Sequence, residues 1–502
     1  MLILLNASKI MNRRIGVLFI SFILLLVVAS ICSAQRNVVI LYPEDMGNHL
    51  GSLGTPGIET PKLDALARQG VQFTANYCAQ PVCSPTKGAF YTGRYPHDNG
   101  MTRNVYNYGV DKLPIPEGTD PSDTRIPGIH DDIPTLIELL NAKGYFTAVT
   151  SKTHVQPMRK FRFDMGWGPL GSPGIYQPET WKDLISIVRE KAGGQPFFLM
   201  ANTSLTHAPW QRKLEDNGIS SDPGNRLATP TSVDWKEIPV HPFLPDTEVA
   251  RKDLARYFAM VQLVDEWAGV LLQALEEAGV ADSTLVIFTP DHGMPYQRGK
   301  VACYPAGTKV PLIIRGPGVK QGLRMDAPVS HVDLMPTILE FLGIEAPEIQ
   351  HGRSLWPLLK GEIPSFPDRT TVLTETNSWY KARAVTDGRW YYVRNDTQPR
   401  NKDAGEDPWS NPPMNIDLWM PDHRAYDNQV YTETIRAREQ YPLAYELLAQ
   451  IVEGRLPEEE LFYLKDDPWA TNNLAGDKVN KKILKHMRNE LKKWQVRTHD
   501  TR

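Results

Sequence analysis

The sequence predicts an α/β protein: a large, mostly parallel sheet flanked by helices, followed by a smaller C-terminal α+β subdomain with an antiparallel sheet. Three observations predict it. Short, continuously apolar runs alternate with amphipathic stretches, the pattern of strands buried on both faces. The texture changes near residue 365, where β-branched and aromatic residues mix with turn signals. Acids, histidines and lysines collect just after four of the apolar runs, where open parallel sheets hold their ligands.

The first strand covers residues 37–42 within "RNVVILYPEDMG" and runs into Glu44-Asp45. "TPKLDALARQG" offers Thr60 as a cap, a proline in the first turn and a closing glycine, so 61–69 is a helix. An amphipathic helix in "DDIPTLIELLNAKG" precedes strand "YFTAVTS", after which come Lys152 and His154. Helix 178–192, strand "PFFLMAN" with His207 behind it, and helix 248–279 continue the alternation. Strands "TLVIFTP" (284–290) and "VPLIIRG" (310–316) enclose Asp291-His292, and helix 332–343 completes this part. "TTVLTET" and "KARAVTDGRWYYVRN" then read as antiparallel strands, with Asp387-Gly388 as a hairpin turn and helices at 430–453 and 478–496. The expected division is a leader at 1–34, a main domain at 35–365 and a subdomain at 366–502.

Composition narrows the function. Forty-one per cent hydrophobic residues supply ample core, and a formal charge of −3 lacks the basic footprint of a nucleic-acid binder. Any anion site must therefore be assembled locally. Arg13 and Arg14 precede the apolar run "IGVLFISFILLLVVASICSAQ", which ends in small residues as an export signal does, with cleavage expected after Ala34. Left uncleaved, the run is long enough to anchor the chain in a membrane. Bulky Ile31 argues against a lipid-modified Cys32. Of the four cysteines, Cys78, Cys83 and Cys303 then remain, an odd number for an oxidising compartment. A Cys78–Cys303 disulfide is one arrangement, and it leaves Cys83 over.

The strand-end residues suggest chemistry. Glu44, Asp45 and Asp291 are hard oxygen donors suited to Ca²⁺ or Mg²⁺, and His292 adds a nitrogen that also suits Mn²⁺ or Zn²⁺. An isolated acid pair more often caps a turn; its coincidence with "PDHG" favours a metal site. Lys87, Lys152, Lys300, His154 and His207 can surround a tetrahedral oxyanion such as sulfate or phosphate. Singly each is more ordinary, a solvated lysine or a structural histidine.

"PVCSPTKGAFYTGRYP" decides the matter. Cys83-Ser84-Pro85-Thr86-Lys87 followed by Thr92-Gly93-Arg94 resembles the signature of the type I sulfatases, within the alkaline phosphatase superfamily. "YPEDMG", "SKTHVQP", "THAPW", "TLVIFTPDHG", "HGRSLWPLLKGE" and "ELFYLKDDPWATNNLA" resemble further sulfatase segments in the same order, over roughly residues 36–495. The resemblance implies an alkaline-phosphatase-like fold and conversion of Cys83 to formylglycine by a formylglycine-generating or anaerobic maturation enzyme. The hydrated aldehyde would attack sulfur and later expel the sulfate, in two steps easier than one. Glu44, Asp45, Asp291, His292 and residue 83 would hold one divalent cation, usually Ca²⁺ in this family. Lys87 and Lys152 would steady the diol, His154 would assist its deprotonation, His207 would protonate the leaving group and Lys300 would contact the sulfate.

The chain departs from the usual pattern at four positions. Lys87 stands for arginine, Thr86 for serine, Glu44 for aspartate, and His292 for the asparagine of many members. A lysine keeps the charge of arginine but loses its planar fork. "SKTHVQP", "THAPW" and "DHGMPYQRGK" look most like the heparan N-sulfatase (sulfamidase) branch and neighbouring bacterial polysaccharide sulfatases. The substrate implied is a sulfated carbohydrate, met in the periplasm or outside the cell, with a membrane-anchored or lysosomal enzyme as the alternative. Trp235, Tyr380, Trp409 and Trp419 are candidates for stacking on sugar rings. Competing readings are a phosphonate or phosphate monoester hydrolase with the same nucleophile and metal, and a catalytically silent binder of sulfated glycans.

Overall fold

A computed structural model of the chain describes residues 36–105, 128–167, 177–208, 210, 233–377, 380–399 and 429–501. The expected leader, Trp409 and Trp419 lie outside the described residues. Eight strands form the main sheet. In spatial order they are β5 (Met165–Trp167), β4 (Phe146–Thr150), β6 (Phe197–Thr203), β1 (Asn37–Pro43), β7 (Thr284–Phe288), β8 (Leu312–Arg315), β2 (Val71–Phe73) and β9 (Leu323–Met325). Only β8 runs against its neighbours, so the sheet is mostly parallel, as the sequence predicts. A two-stranded sheet pairs β3 (Asn76–Tyr77) with β10 (Val329–Ser330). The C-terminal sheet is antiparallel, in the order β11 (Val372–Thr376), β12 (Ala382–Thr386), β13 (Trp390–Asn395) and β14 (Glu459–Tyr463).

Strand β1 is buried along its whole length, and its alternate residues serve two cores. Val39 and Leu41 pack with helices Pro61–Gln69, Leu184–Ala192 and Glu248–Glu277, whereas Val38, Ile40 and Tyr42 pack with Cys83–Thr92, Leu136–Ala142 and Leu334–Leu342. A strand sandwiched between helical layers needs apolar residues at every position, which explains the continuous run "NVVILYP".

Several boundaries differ from expectation for local reasons. Helix 430–453 is two helices, Gln429–Arg436 and Pro442–Val452, because Pro442 cannot continue an upstream helix. Segment 178–192 opens as the tight turn Pro178–Trp181 before the helix proper at Leu184–Ala192. The Thr60 hydroxyl does not cap helix Pro61–Gln69; it accepts from the Gly51 N–H and donates to Asp64. The orphan N–H groups of Leu63 and Lys62 instead donate to the carboxylate of Asp265, at 2.7 and 3.2 Å, from the long helix Glu248–Glu277. Asp387-Gly388 does form the hairpin between β12 and β13, with Gly388 at φ 86°. Cys78 and Cys303 are free buried thiols, so the disulfide considered between them is not formed.

A buried ionic network ties the C-terminal sheet to helix Pro96–Asn99 and to Thr498 and Asp500. The Glu375 carboxylate, from β11, accepts from the His97 N–H and Nδ1, both at 2.8 Å, while His97 Nε2 lies 3.1 Å from the Thr498 carbonyl. Arg383 adds a bond to Asp500 at 2.8 Å and lies 3.5 Å from Glu375. Burial opposes a charge on His97, but the Glu375 carboxylate, Asp500 and the Thr498 carbonyl outweigh it, so its pKa sits above the ordinary histidine value. With both ring nitrogens facing acceptors, His97 is an imidazolium. A raised folded-state pKa gives stability that is full below the unfolded value, near 6.5, and lost as pH rises through the folded one. We therefore expect His97→Gln to cost about 1.5–3 kcal/mol at pH 6, the range for hydrogen bonds to charged groups. The gap in melting temperature from wild type should shrink toward pH 9. Thermal melts across that range check it, and a gap independent of pH would disprove the imidazolium.

Candidate active site

Four neighbouring strands, in the order β4, β6, β1 and β7, deliver their following loops to one edge of the sheet. The ladder continues past the strand ends: Glu44 N–H donates to Thr203, Asp291 N–H to Pro43 and Thr289 N–H to Leu41. This brings Glu44-Asp45 beside Asp291-His292. Asp45 sits at φ 56°, a left-handed conformation that Asp tolerates better than most residues. Lys152 and His154 arrive from the end of β4, His207 from that of β6. Cys83 is the first residue of helix Cys83–Thr92, all ten residues of which are buried, and Lys87 lies one turn on. Helix N-termini favour negative charge, so the 83 side chain sits where an anionic nucleophile is stabilised.

The groups that converge fit a cation. Donor atoms of Asp45, Cys83, Asp291 and His292 all lie within 4.8 Å of one another and are buried. Asp291 Oδ1 accepts from the N–H groups of Asp45 and His292, each at 2.8 Å, while Oδ2 is buried with no hydrogen-bond partner. His292 Nδ1 lies 3.0 Å from the Gly293 carbonyl, which accepts its proton. That directs Nε2 at Cys83 Sγ and Asp45 Oδ1, both 3.3 Å away, and Asp291 Oδ2 at 3.8 Å. Burial alone would lower the His292 pKa; Asp291 and Asp45 outweigh it and push it up to about 9. The acceptors that favour a proton on His292 would serve a divalent cation in its place. Gly293 is required beside it, since a Cβ there would lie 2.0 Å from the Ala306 carbonyl oxygen.

Glu44 stands beside these four rather than among them. Its carboxylate oxygens take Lys87 Nζ at 2.5 Å and Lys152 Nζ at 3.2 Å, so two of the departures from the usual pattern, Glu44 and Lys87, touch each other. Lys300 Nζ bonds both oxygens of Asp45 at 2.9 Å. Three lysines thus balance the carboxylates of Glu44, Asp45 and Asp291. A divalent cation would make the site net positive, suited to a bound oxyanion.

His207 donates from Nδ1 to the Ala208 carbonyl at 2.5 Å, and its Nε2 lies 3.4 Å from Lys300 Nζ. Burial first, with Lys300 and Lys152 adding and Asp45 opposing, brings its pKa down to about 3. The resting imidazole is neutral, with its Nε2 lone pair toward Lys300. His154 is buried at φ 52° and is held well below the usual histidine value by burial, then Lys152 and Lys87. It too is neutral at rest.

Several supports had no separate sequence signal. His331 bridges Thr86 and Thr289, 3.1 Å from each hydroxyl, and fixes the Cys83 helix to the end of β7. Its pKa falls to about 3 through burial and then His292, so it serves as a neutral linker. The Lys300 loop is strained, with Arg298 at φ 61° and β-branched Val301 at φ 70°. The Val301 N–H is held by Pro81 at 2.7 Å, and the Arg298 guanidinium lies 3.5 Å above the Tyr304 ring while bonding Ala470 of the C-terminal part. The aromatic candidates separate: Tyr380 is a buried packing residue, and Trp235 lies beneath the Lys236 and Lys252 ammonium groups.

Comparison with known proteins defines the class. The pattern of the family described as Sulfatase matches residues 36–344, and that of N-sulphoglucosamine sulphohydrolase, C-terminal, matches residues 296–397. The chain is 28% identical to the human protein N-sulphoglucosamine sulphohydrolase, over 95% of this chain and 93% of that one. It is also 28% identical to an ulvan-active sulfatase of Formosa agariphila, over 92% of this chain and 74% of the relative. A solved structure in complex with its substrate D-glucosamine-2-N,6-O-disulfate superposes with TM-score 0.63 at 19% identity, covering 93% of this chain and 99% of that one. The chain belongs to the sulfatase family and is a sulfuric ester hydrolase. Membership implies a divalent metal and a formylglycine, which the buried Asp45, Cys83, Asp291 and His292 group fits.

Asp291→Asn tests the cation site by opposite effects. Burial and the nearby Glu44 and Asp45 charges raise the Asp291 pKa, so removing its charge should leave the metal-free protein at least as stable. Wild type should gain about 2.7 kcal/mol with a divalent cation at one hundred times its Kd, and the variant little or none. Melts with Ca²⁺, Mg²⁺, Mn²⁺ and Zn²⁺ in turn provide the measurement. A variant that keeps the full shift would exclude Asp291 as a ligand.

Proposed function

We propose that this chain is an exported enzyme that removes sulfate, as an O-ester or an N-sulfate, from a sulfated carbohydrate. The observation that carries the reading is the residue 83 side chain at a buried helix start, among three metal-ligand candidates and beside three lysines. The relatives support the substrate class, since they include an N-sulphoglucosamine sulphohydrolase and an ulvan-active sulfatase. Export is supported by the Arg13-Arg14 pair and the apolar run behind it, with the periplasm or the cell exterior as destination.

Asp45, Asp291, His292 and residue 83 would hold the cation, with Glu44 at its flank. As encoded, the set of one sulfur, one nitrogen and carboxylate oxygens suits Zn²⁺; exchange of the sulfur for oxygen hardens it toward Ca²⁺. Formylglycine, made from Cys83 by a maturation enzyme, supplies a hydrated aldehyde as nucleophile when present. The chain's own residues set the stage for it. Lys87 and Lys152 keep Glu44 ionised and present positive charge to the attacking group and the incoming sulfate. His154, buried beside Lys152 and Lys87, would stand as the proton acceptor for a hydrated aldehyde at residue 83. Lys300 holds Asp45 and faces the sulfate, and a sulfate bound there offsets the lysine charges that add to burial in keeping His207 deprotonated. Its Nε2 would then take up a proton from solvent and deliver it to the departing oxygen or nitrogen.

A phosphonate or phosphate monoester hydrolase is the weaker reading, because the family match and the curated relatives reported above are sulfatases. Two measurements test the proposal together. The residue 83 peptide from protein made in its native host should show the mass of an aldehyde in place of a thiol. Turnover of an aryl sulfate should exceed that of an aryl phosphonate monoester, and Cys83→Ser should lose at least about 10³-fold in kcat, as loss of a covalent nucleophile does. An intact thiol in an active preparation would refute the formylglycine mechanism. A large preference for phosphorus would refute the assigned substrate.

A further inference from the structure

A second concentration of positive charge lies outside the strand-end cluster. A cleft of about 460 Å³ opens at the seam between the main domain and the C-terminal sheet. Lys309, Gly388, Arg389, Tyr463, Leu464 and Lys465 line it, three cations and no acid. For a chain of net charge −3, such a concentration is not dictated by composition. Among the described residues, none of these three cationic side chains makes an ion pair or a side-chain hydrogen bond.

Three acids flank the cleft without lining it: Asp326, Asp387 and the exposed Asp466. Asp387 Oδ1 accepts from the N–H groups of Arg389 and Trp390 at 2.8 and 2.7 Å, and Asp326 accepts from the Thr74 hydroxyl at 2.6 Å. Lys309 is partly buried, and burial lowers its pKa, with Asp326 opposing and Arg324 adding. A half-buried ammonium without a carboxylate partner is costly, and an arriving anion relieves that cost.

The cleft has fixed walls. Lys309 bridges to Tyr77, and its N–H donates to Pro305 at 2.9 Å. The Leu464 N–H donates to the Arg389 carbonyl at 2.7 Å, and the Tyr463 ring packs on Trp390 with centroids 4.8 Å apart. Gly388, in its left-handed conformation at φ 86°, forms the turn, and a Cβ there would lie 3.6 Å from Ala75 Cβ and 3.8 Å from the Asp326 carbonyl oxygen. Cations from three separate chain segments, with Tyr463 also in the lining, match several anionic groups spaced along a sugar chain better than one small ion.

We propose that this cleft is a second binding site, which holds sulfate groups of a sulfated glycan while another part of the chain occupies the strand-end cluster. The proposal rests on the glycan reading above, and it adds a grip on longer substrates through effective concentration. Arg389 and Lys465 are exposed, so Arg389→Ser with Lys465→Ser tests it without disturbing the core. In a Cys83→Ala background, binding of a heparin-derived hexasaccharide at about 50 mM NaCl should weaken at least about tenfold, and with a shallower salt dependence. Inorganic sulfate and a carboxylated, unsulfated galacturonate hexamer should bind weakly to both proteins. With Cys83 intact, the double variant should raise KM for the hexasaccharide and leave turnover of 4-nitrophenyl sulfate unchanged. Equal hexasaccharide affinity in both proteins would overturn the site. Equally tight binding of inorganic sulfate or of the carboxylated hexamer would overturn its assignment to sulfated chains. The binding measurement needs no turnover, so failure of the second site and failure of the sulfatase reading give different results.

Discussion

Burying three carboxylates within reach of one another governs the rest of this structure. Glu44, Asp45 and Asp291 stand at adjacent strand ends, essentially without solvent, where like charges repel strongly and desolvation is expensive. Each is answered differently. Two lysines take Glu44, one lysine takes Asp45, and two backbone N–H groups take one oxygen of Asp291 while its other oxygen stays unpaired. The residual demand for positive charge falls on His292, whose pKa it raises. The demand for metal and the affinity for an oxyanion are therefore two aspects of one electrostatic arrangement.

That arrangement must be held rigidly, and the cost is visible in the backbone. Asp45, Ser151, His154, Arg298 and Val301 all lie at positive φ, and all belong to the loops that carry or flank the site. Such conformations survive only where surrounding bonds over-determine them. Here the bonds include the extended ladder from β1 to β7, the His331 bridge, and the Arg298 contacts with Tyr304 and Ala470. The C-terminal part therefore helps to place Lys300 although it contributes no member of the strand-end cluster.

Much of the site was legible in the sequence because the information is local. Glu44-Asp45, Lys152 with His154, His207 and Asp291-His292 each follow an apolar run, and the run itself marks a strand end. The fold class was legible for the same reason, since continuous apolar strands require helices on both faces. What was not legible depends on which distant segments meet. Nothing local announces that β4, β6, β1 and β7 lie side by side, or that Asp265 caps a helix some two hundred residues earlier. The pairing of Lys87 with Glu44 and the role of His331 are likewise properties of the assembled chain. Thr60 shows the converse error, since a correct local cap signal was overruled by a better long-range partner.

The helix Cys83–Thr92 is buried along its whole length, and Cys83 itself is 1% exposed. No second protein can grasp the thiol through that packing, so any enzymatic conversion has to be finished while the segment is still unfolded. Folding then separates converted from unconverted molecules permanently, since neither can be turned into the other without being unfolded again. Were conversion incomplete at synthesis, a purified preparation would stay a fixed mixture, and its specific activity would record the circumstances of that synthesis.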